Sequence, residues 1–155
     1  MEHKDSVGIK GLIKIKQERD GKVIDEREIK NVITNAGLAE VANLCGNVSS
    51  PAYFTYLALG IGTTAAAATD TALESEIVDT GLDRSSAIVT RETTNVSNDT
   101  LQLVKQWTAT GVKAVTECGA FNDASAGEML GHQVFSAINT ESNDTIKITY
   151  QFIFS

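Results

Sequence analysis

The sequence predicts an all-β fold: a two-sheet β-sandwich of about eight strands, jelly-roll-like, with one short helix. Three observations lead there. The last eleven residues place Ile146, Ile148, Tyr150, Phe152 and Phe154 at every second position, so a strand built from them has one apolar, aromatic face and one largely wet face. Arg19-Asp20-Gly21-Lys22 supplies the Asp-Gly pair that a two-residue type I′ hairpin turn needs, because both central positions take positive φ. Short apolar runs broken by turn residues recur through the rest of the chain, as in sandwiches and barrels.

The hairpin predicted around Asp20-Gly21 joins a strand over Val7 to Gln17, with Val7, Ile9, Ile13 and Ile15 on one face, to a partner from Lys22 to about Val32. Lys10, Lys14 and Lys16 share the other face of the first strand and read as a solvated lysine stripe. The tip, rich in Lys, Arg, Asp and Glu, projects into water or against a polar partner. Over Thr34 to Gly46, Leu38, Val41, Ala42 and Cys45 recur at helical spacing, Thr34 or Asn35 can cap the start, and Gly46 can close the end. This predicts an amphipathic helix lying over the sheet.

Tyr53 to Gly62 is nearly continuous in apolar residues, which predicts a central strand covered on both faces. Thr63 to Asp83 is dominated by small and polar residues and reads as a long loop with one helical turn around Ala72 to Glu76, a contact surface on a rigid scaffold. Five further strands follow, over Ser86 to Thr94, Thr100 to Ala109, Val112 to Asn122, Met129 to Ile138 and the C-terminal run. The long crossings near Asn35 and Thr63 favour two sheets over an up-and-down barrel.

With 155 residues, 42% hydrophobic and 21% charged, the chain fits a single domain with an ordinary core. A formal charge of −7 argues against nucleic acid as a partner, since phosphate binding draws on clustered Lys and Arg. The sequence contains no long apolar run for a membrane helix, and its start leads into nothing like a signal peptide, so a protein made and kept in a cytoplasm until release is expected.

Few residues suggest chemistry. Gly60-Ile61-Gly62-Thr63-Thr64 lacks the Lys and helix of a P-loop and reads as a tight exit from a strand. Glu117, Cys118 and His132 invite a thiol–imidazole–carboxylate reading, but adjacent strand residues face opposite ways, so Cys118 is expected inward and Glu117 outward. His132 has no Cys or His at ligand spacing, and the aspartates are scattered without a calcium-loop pattern, so no metal and no cofactor are expected. Cys45 and Cys118 need not pair. Trp107, in step with Leu101 and Leu103, reads as core, with a sugar platform formed with Tyr53 and Tyr56 as the competing possibility. No enzymatic activity is expected.

Five blocks carry a resemblance. They are Lys30-Asn31-Val32-Ile33-Thr34-Asn35-Ala36-Gly37-Leu38, Tyr56-Leu57-Ala58-Leu59-Gly60-Ile61-Gly62-Thr63-Thr64, Asp70-Thr71-Ala72-Leu73-Glu74-Ser75-Glu76, Glu117-Cys118-Gly119-Ala120-Phe121-Asn122 and Met129-Leu130-Gly131-His132-Gln133-Val134-Phe135. In this order they resemble small structural proteins of tailed bacteriophages, both head decoration (cement) proteins and tail-fibre or tail-tip components; a short tail-tip or collar subunit would have the same sequence properties. The resemblance implies a non-catalytic, β-rich virion protein that assembles as a symmetric oligomer.

Because the chain lacks a repetitive shaft or heptads, head decoration is favoured over a fibre. The expectation is a homotrimer on the outer surface of the virion, binding the major capsid protein, or tail proteins of the same particle, with no membrane partner. Residues 1–29, an arm and hairpin outside the matching blocks, are expected to mediate attachment together with the loop Thr63 to Asp83. Within these segments the candidate contact residues are Lys10, Lys14, Lys16, Arg19, Asp20, Thr64, Asp70, Leu73 and Glu76.

Overall fold

A computed structural model describes residues 8–155. The start of the predicted arm, with His3 and Val7, lies outside the described residues. The all-β expectation holds. The elements are β1 (Ile9–Arg19), β2 (Lys22–Ile33), α1 (Asn35–Gly46), β3 (Tyr56–Gly60), β4 (Ser85–Ser86), β5 (Ile88–Glu92), β6 (Thr100–Thr108), β7 (Ala114–Phe121), β8 (Met129–Asn139) and β9 (Thr145–Phe154).

The strands form one nine-stranded antiparallel sheet in the order β4-β3-β7-β8-β2-β1-β9-β6-β5. Its two ends meet in the chain. A single residue, Ala87, joins β4 to β5, and its N–H donates to the Thr55 carbonyl at 2.8 Å, so the sheet curls nearly into a barrel. The other hinge is β2, which pairs with β1 along most of its length but with β8 only through Val32 and Ile33. Where β2 and β8 diverge, Arg27 reaches across to the carbonyl and hydroxyl of Ser136.

The hairpin turn forms as its chemistry demands, with Asp20 at φ 50° and Gly21 at φ 74°. The hairpin is no appendage, because β1 lies between β2 and β9 near the middle of the sheet. Its inward residues Ile13 and Ile15 join Ile146, Ile148, Tyr150 and Phe152 of β9, Leu103 and Trp107 of β6, and Leu57, Leu59, Val115, Leu130 and Ile138 of the opposite half in one core. The terminal alternation therefore does what its pattern implies: β9 is laddered on both sides, and Tyr150 stacks on Phe152 with centroids 4.8 Å apart. Trp107 is buried, and its indole N–H donates to the Asp83 carbonyl at 2.9 Å.

Several boundaries and faces differ from expectation. The apolar run at Tyr53 becomes a strand only from Tyr56, and that strand sits beside the short β4 rather than at the centre, although it is covered on both faces as expected. Tyr53 is exposed. Helix α1 is capped by Thr34, whose hydroxyl accepts from the Gly37 N–H, but the left-handed closing residue is Asn47, not Gly46. Its contact face is also rotated from the predicted stripe. Gly37, Val41 and Leu44 face the core, while Leu38 and Cys45 remain exposed.

The cause is close approach. The helix start passes directly over β8, where a Cβ on Gly37 would lie 2.5 Å from the Leu130 Cα. Only glycine fits there, which pins the helix rotation at Gly37 and turns Leu38 outward. Substituting Gly37→Ala is expected to lower stability by about 1–3 kcal/mol, the cost of overpacking against backbone that cannot yield, seen as a lower urea midpoint with an unchanged m-value.

Candidate functional site

Buried polar and titratable side chains gather on the outer face of β7 and β8, beside β3. All of β7 after Ala114 is buried, on both faces. The inward set includes Val115, Cys118 and Ala120, and the outer face is covered by the segment between β3 and β4. This segment is no free loop. Ile61 N–H donates to the Ser75 carbonyl at 2.8 Å and Ile77 N–H to the Leu59 carbonyl at 2.9 Å, so it doubles back on β3. Leu73 is buried with Ala58, Phe121 and Met129, and Ile77 and Leu82 reach the main core. The predicted helical turn at Ala72 to Glu76 is absent, since pairing with β3 takes up the backbone there.

Beneath this strap lies a buried charged cluster. Glu117, expected outward in solvent, is fully buried. Its Oε1 accepts from the N–H groups of Gly62 at 2.9 Å and Ser75 at 2.8 Å, and its Oε2 from the Glu74 N–H at 3.1 Å. His132 Nε2 lies 2.9 Å from the same Oε2, and His132 Nδ1 lies 2.8 Å from Asp70 Oδ2. Donating to two carboxylates requires a proton on each ring nitrogen, so the bound form is the imidazolium.

The electrostatics agree with this geometry. Burial alone pushes the His132 pKa down, but hydrogen bonds to Glu117 and Asp70 overcome it and raise the value above 6.5. Burial pushes Glu117 up, yet the bonds from His132 and from the N–H groups of Ser75, Glu74 and Gly62 hold it below the usual carboxylate value. Asp70 behaves alike: desolvation is outweighed by the Ala67 N–H and His132. Glu74 takes the N–H groups of Thr64 and Thr63 and the Thr64 hydroxyl, which lower its pKa.

The Gly60-Ile61-Gly62 exit needs its glycines here. A Cβ on Gly60 would strike the Glu117 carboxylate, and one on Gly62 would lie 2.6 Å from Glu117 Oε1. Cys118 faces the other way, into the main core, where burial pushes its thiol pKa up. It pairs in register with Gln133, while His132 pairs with Gly119. The thiol and the imidazole are therefore not brought together, and both cysteines are free. Among the described residues no group of His, Cys, Asp or Glu has a metal-holding arrangement; the position between the two carboxylates is filled by the imidazolium itself.

The predicted contact residues separate into two sets. Lys10, Lys14 and Lys16 lie on the outward face of β1, Asp20 is exposed in the turn, and Thr64 is exposed on the strap. Lys16 stands opposite Lys147 in register and pairs with Glu18 at 2.5 Å. The others are committed internally. Arg19 holds Asp144 through Nε at 2.8 Å and Nη2 at 2.7 Å, and Glu141 at 2.8 Å, clamping the β8–β9 turn. Asp70 holds His132. Glu76 holds Arg84 at 2.6 Å, whose guanidinium lies 3.6 Å over the Phe121 ring. Leu73 is corrected from contact residue to core residue, because it is the apolar anchor of the strap.

Composition and spacing missed the pairing of Glu117 with His132, although an acidic residue within an apolar strand run, and two glycines flanking Ile61, were its visible traces. Removing the carboxylate by Glu117→Ala is expected to cost about 3–5 kcal/mol, the typical loss when one partner of a buried ion pair is deleted, measured by urea unfolding. The sign of the pH dependence follows from the shifts. The raised His132 value contributes stability in full below 6.5 that is lost as pH rises through the folded value, and the lowered Glu117 and Asp70 values contribute in full above 4.5 and are lost as pH falls through theirs. Stability from this cluster is therefore expected to be greatest between about 4.5 and 6.5, and His132→Gln is expected to flatten the alkaline limb of Tm against pH. Family models, curated proteins and solved structures all lack a match to this chain.

Proposed function

We propose that this chain is a non-catalytic structural component of a tailed-phage virion, a decoration protein that binds the outer surface of the head as a homotrimer and bridges subunits of the major capsid protein. The observation that carries the proposal is where the five resembling blocks fall. Block by block they supply the β2 end and helix start (Thr34, Gly37), β3 and its glycine exit (Gly60, Gly62), the strap (Asp70, Leu73, Glu74), β7 (Glu117) and β8 (Leu130, His132). Segments far apart in sequence are thus parts of one packed unit, as expected when the likeness reflects a shared scaffold. The two halves of the sheet, meeting at β2 and facing one another across the core, correspond in this proposal to the layers of a jelly-roll-like sandwich.

The scaffold divides its surface by use. The outward face of β1, β2 and β9 carries Lys10, Lys14, Lys16, Lys30 and Lys147 among Glu18, Glu26 and Glu28, and it is the surface we assign to the shell. Attachment through the hairpin therefore uses its outer face and charged tip, since its inner face belongs to the core. A tail-fibre, collar or tail-tip subunit is the alternative placement. A carbohydrate platform is disfavoured by the burial of Trp107.

Labelling the protein on intact particles tests the placement: many copies over the head and none on the tail is the expected result, and label confined to the tail would select the alternative. Neutralising Lys14, Lys16 and Lys147 to Gln, which places no like charges opposite Glu26 and Glu28, is expected to reduce binding to undecorated heads at least tenfold while leaving Tm nearly unchanged, because exposed surface substitutions typically shift stability by no more than about 0.5 kcal/mol.

A further inference from the structure

We propose that the strap segment from Ala65 to Ala72 is a pH-released flap, closed while His132 bridges Glu117 to Asp70 and opened when that imidazole loses a proton. The inference is independent of the virion assignment and rests on how the segment is attached.

The strap has unequal halves. Residues 73–77 are held firmly, by burial of Leu73 and Ile77, by pairing with β3, and by two backbone N–H bonds to Glu117, from Glu74 and Ser75. Residues 65–72 contribute no buried apolar side chain. This half is tied to the rest of the molecule by the Asp70–His132 ion pair and by the Asn35 N–H donating to the Ala68 carbonyl at 2.8 Å. Asp70 also accepts from the Ala67 N–H at 2.7 Å, which folds the flap around its own carboxylate. The charged contact is thus the main fastening.

Every group facing His132 bears on its ionisation. β7 contributes the Glu117 carboxylate, with Gly119 in register; β2 contributes Val32 in register, with no titratable group; the strap contributes Asp70 and, on the same hollow of about 230 Å³, Glu74. Lys and Arg are absent from residues 65–83. A neutral imidazole has one N–H and cannot donate to both carboxylates. Glu117 is fully buried and loses most from an unmade bond, whereas the half-buried Asp70 can take water from the hollow. The N–H therefore stays on Nε2 toward Glu117, Nδ1 turns a lone pair toward Asp70, and the flap loses its fastening while residues 73–77 remain seated.

Amide NMR of the whole chain between pH 5 and 10 tests this, with exchange expressed as protection relative to the unfolded rate. The His132 ring is expected to titrate above 6.5. The amides of Asn35, Ala67 and Asp70 are expected to shift with the same midpoint and lose at least tenfold in protection, while those of Gly62 and Ser75 keep theirs. Asp70→Ala, which removes the acceptor and leaves the His132–Glu117 pair in place, is expected to give low protection at the Asn35 amide already at pH 5; His132→Gln is expected to do the same and abolish the titration. Flap amides that stay flat through the His132 midpoint, or that lose protection together with Gly62 and Ser75, would overturn the proposal, as would an Asp70→Ala variant whose Asn35 amide is as protected as in the parent.

Discussion

A carboxylate without solvent is the constraint around which the outer layer is arranged. Glu117 has no exposed surface, and a buried charge persists only if it is paired and fully hydrogen-bonded. Three backbone N–H groups and one imidazolium meet that demand, and each dictates something further. The N–H groups require residues 62, 74 and 75 to cross the sheet at that point. Their approach requires glycine at positions 60 and 62. The imidazolium leaves a second N–H to satisfy, and Asp70 supplies the acceptor that brings the rest of the strap down.

This arrangement makes the two halves of the sheet unlike. Over β3, β7 and the start of β8 the strap provides a second apolar layer, with Leu73 against Ala58, Phe121 and Met129, so β3, β7 and residues 129–132 of β8 are covered on both faces. Over β1, β2 and β9 nothing among the described residues covers the sheet, and the outward residues are mostly Lys, Glu, Thr and Gln, with Leu12 and Ile153 among them. The uncovered half keeps the strict alternation of a sheet with one wet face, whereas the covered half loses it.

The same solution recurs at the turns. Segments with few apolar side chains are fixed by charge-assisted, multidentate contacts, as Arg19 fixes the β8–β9 turn through the nearly buried Asp144, whose pKa falls to about 2 beside that guanidinium. Arg84 likewise gathers Glu76, the Asp123 and Ala126 carbonyls and the face of Phe121. Asp99 takes the N–H groups of Thr94, Asn95 and Val96 and closes the β5–β6 turn. Charged residues that look available for partners are in these cases committed to holding the chain, and among the described residues the charged surface not committed in this way is the lysine-bearing face and the exposed tips.

Period-two patterning and turn chemistry are legible in the amino-acid order itself: the β9 alternation, the Asp20-Gly21 turn, the strand positions from Thr100 onward and the inward placement of Trp107 depend on interactions between near neighbours along the chain. The same local rules indicate that Glu117 and Cys118 face opposite ways, and they do. They are silent on what lies at the far side of the sheet. Whether an outward residue meets water or a covering segment depends on a chain portion some forty residues away, and so the burial of Glu117, its pairing with His132 and Asp70, the conversion of Leu73 into core and the rotation of α1 about Gly37 were decided only by tertiary packing. Alternation specifies two faces for a strand; what each face touches is set by long-range contact.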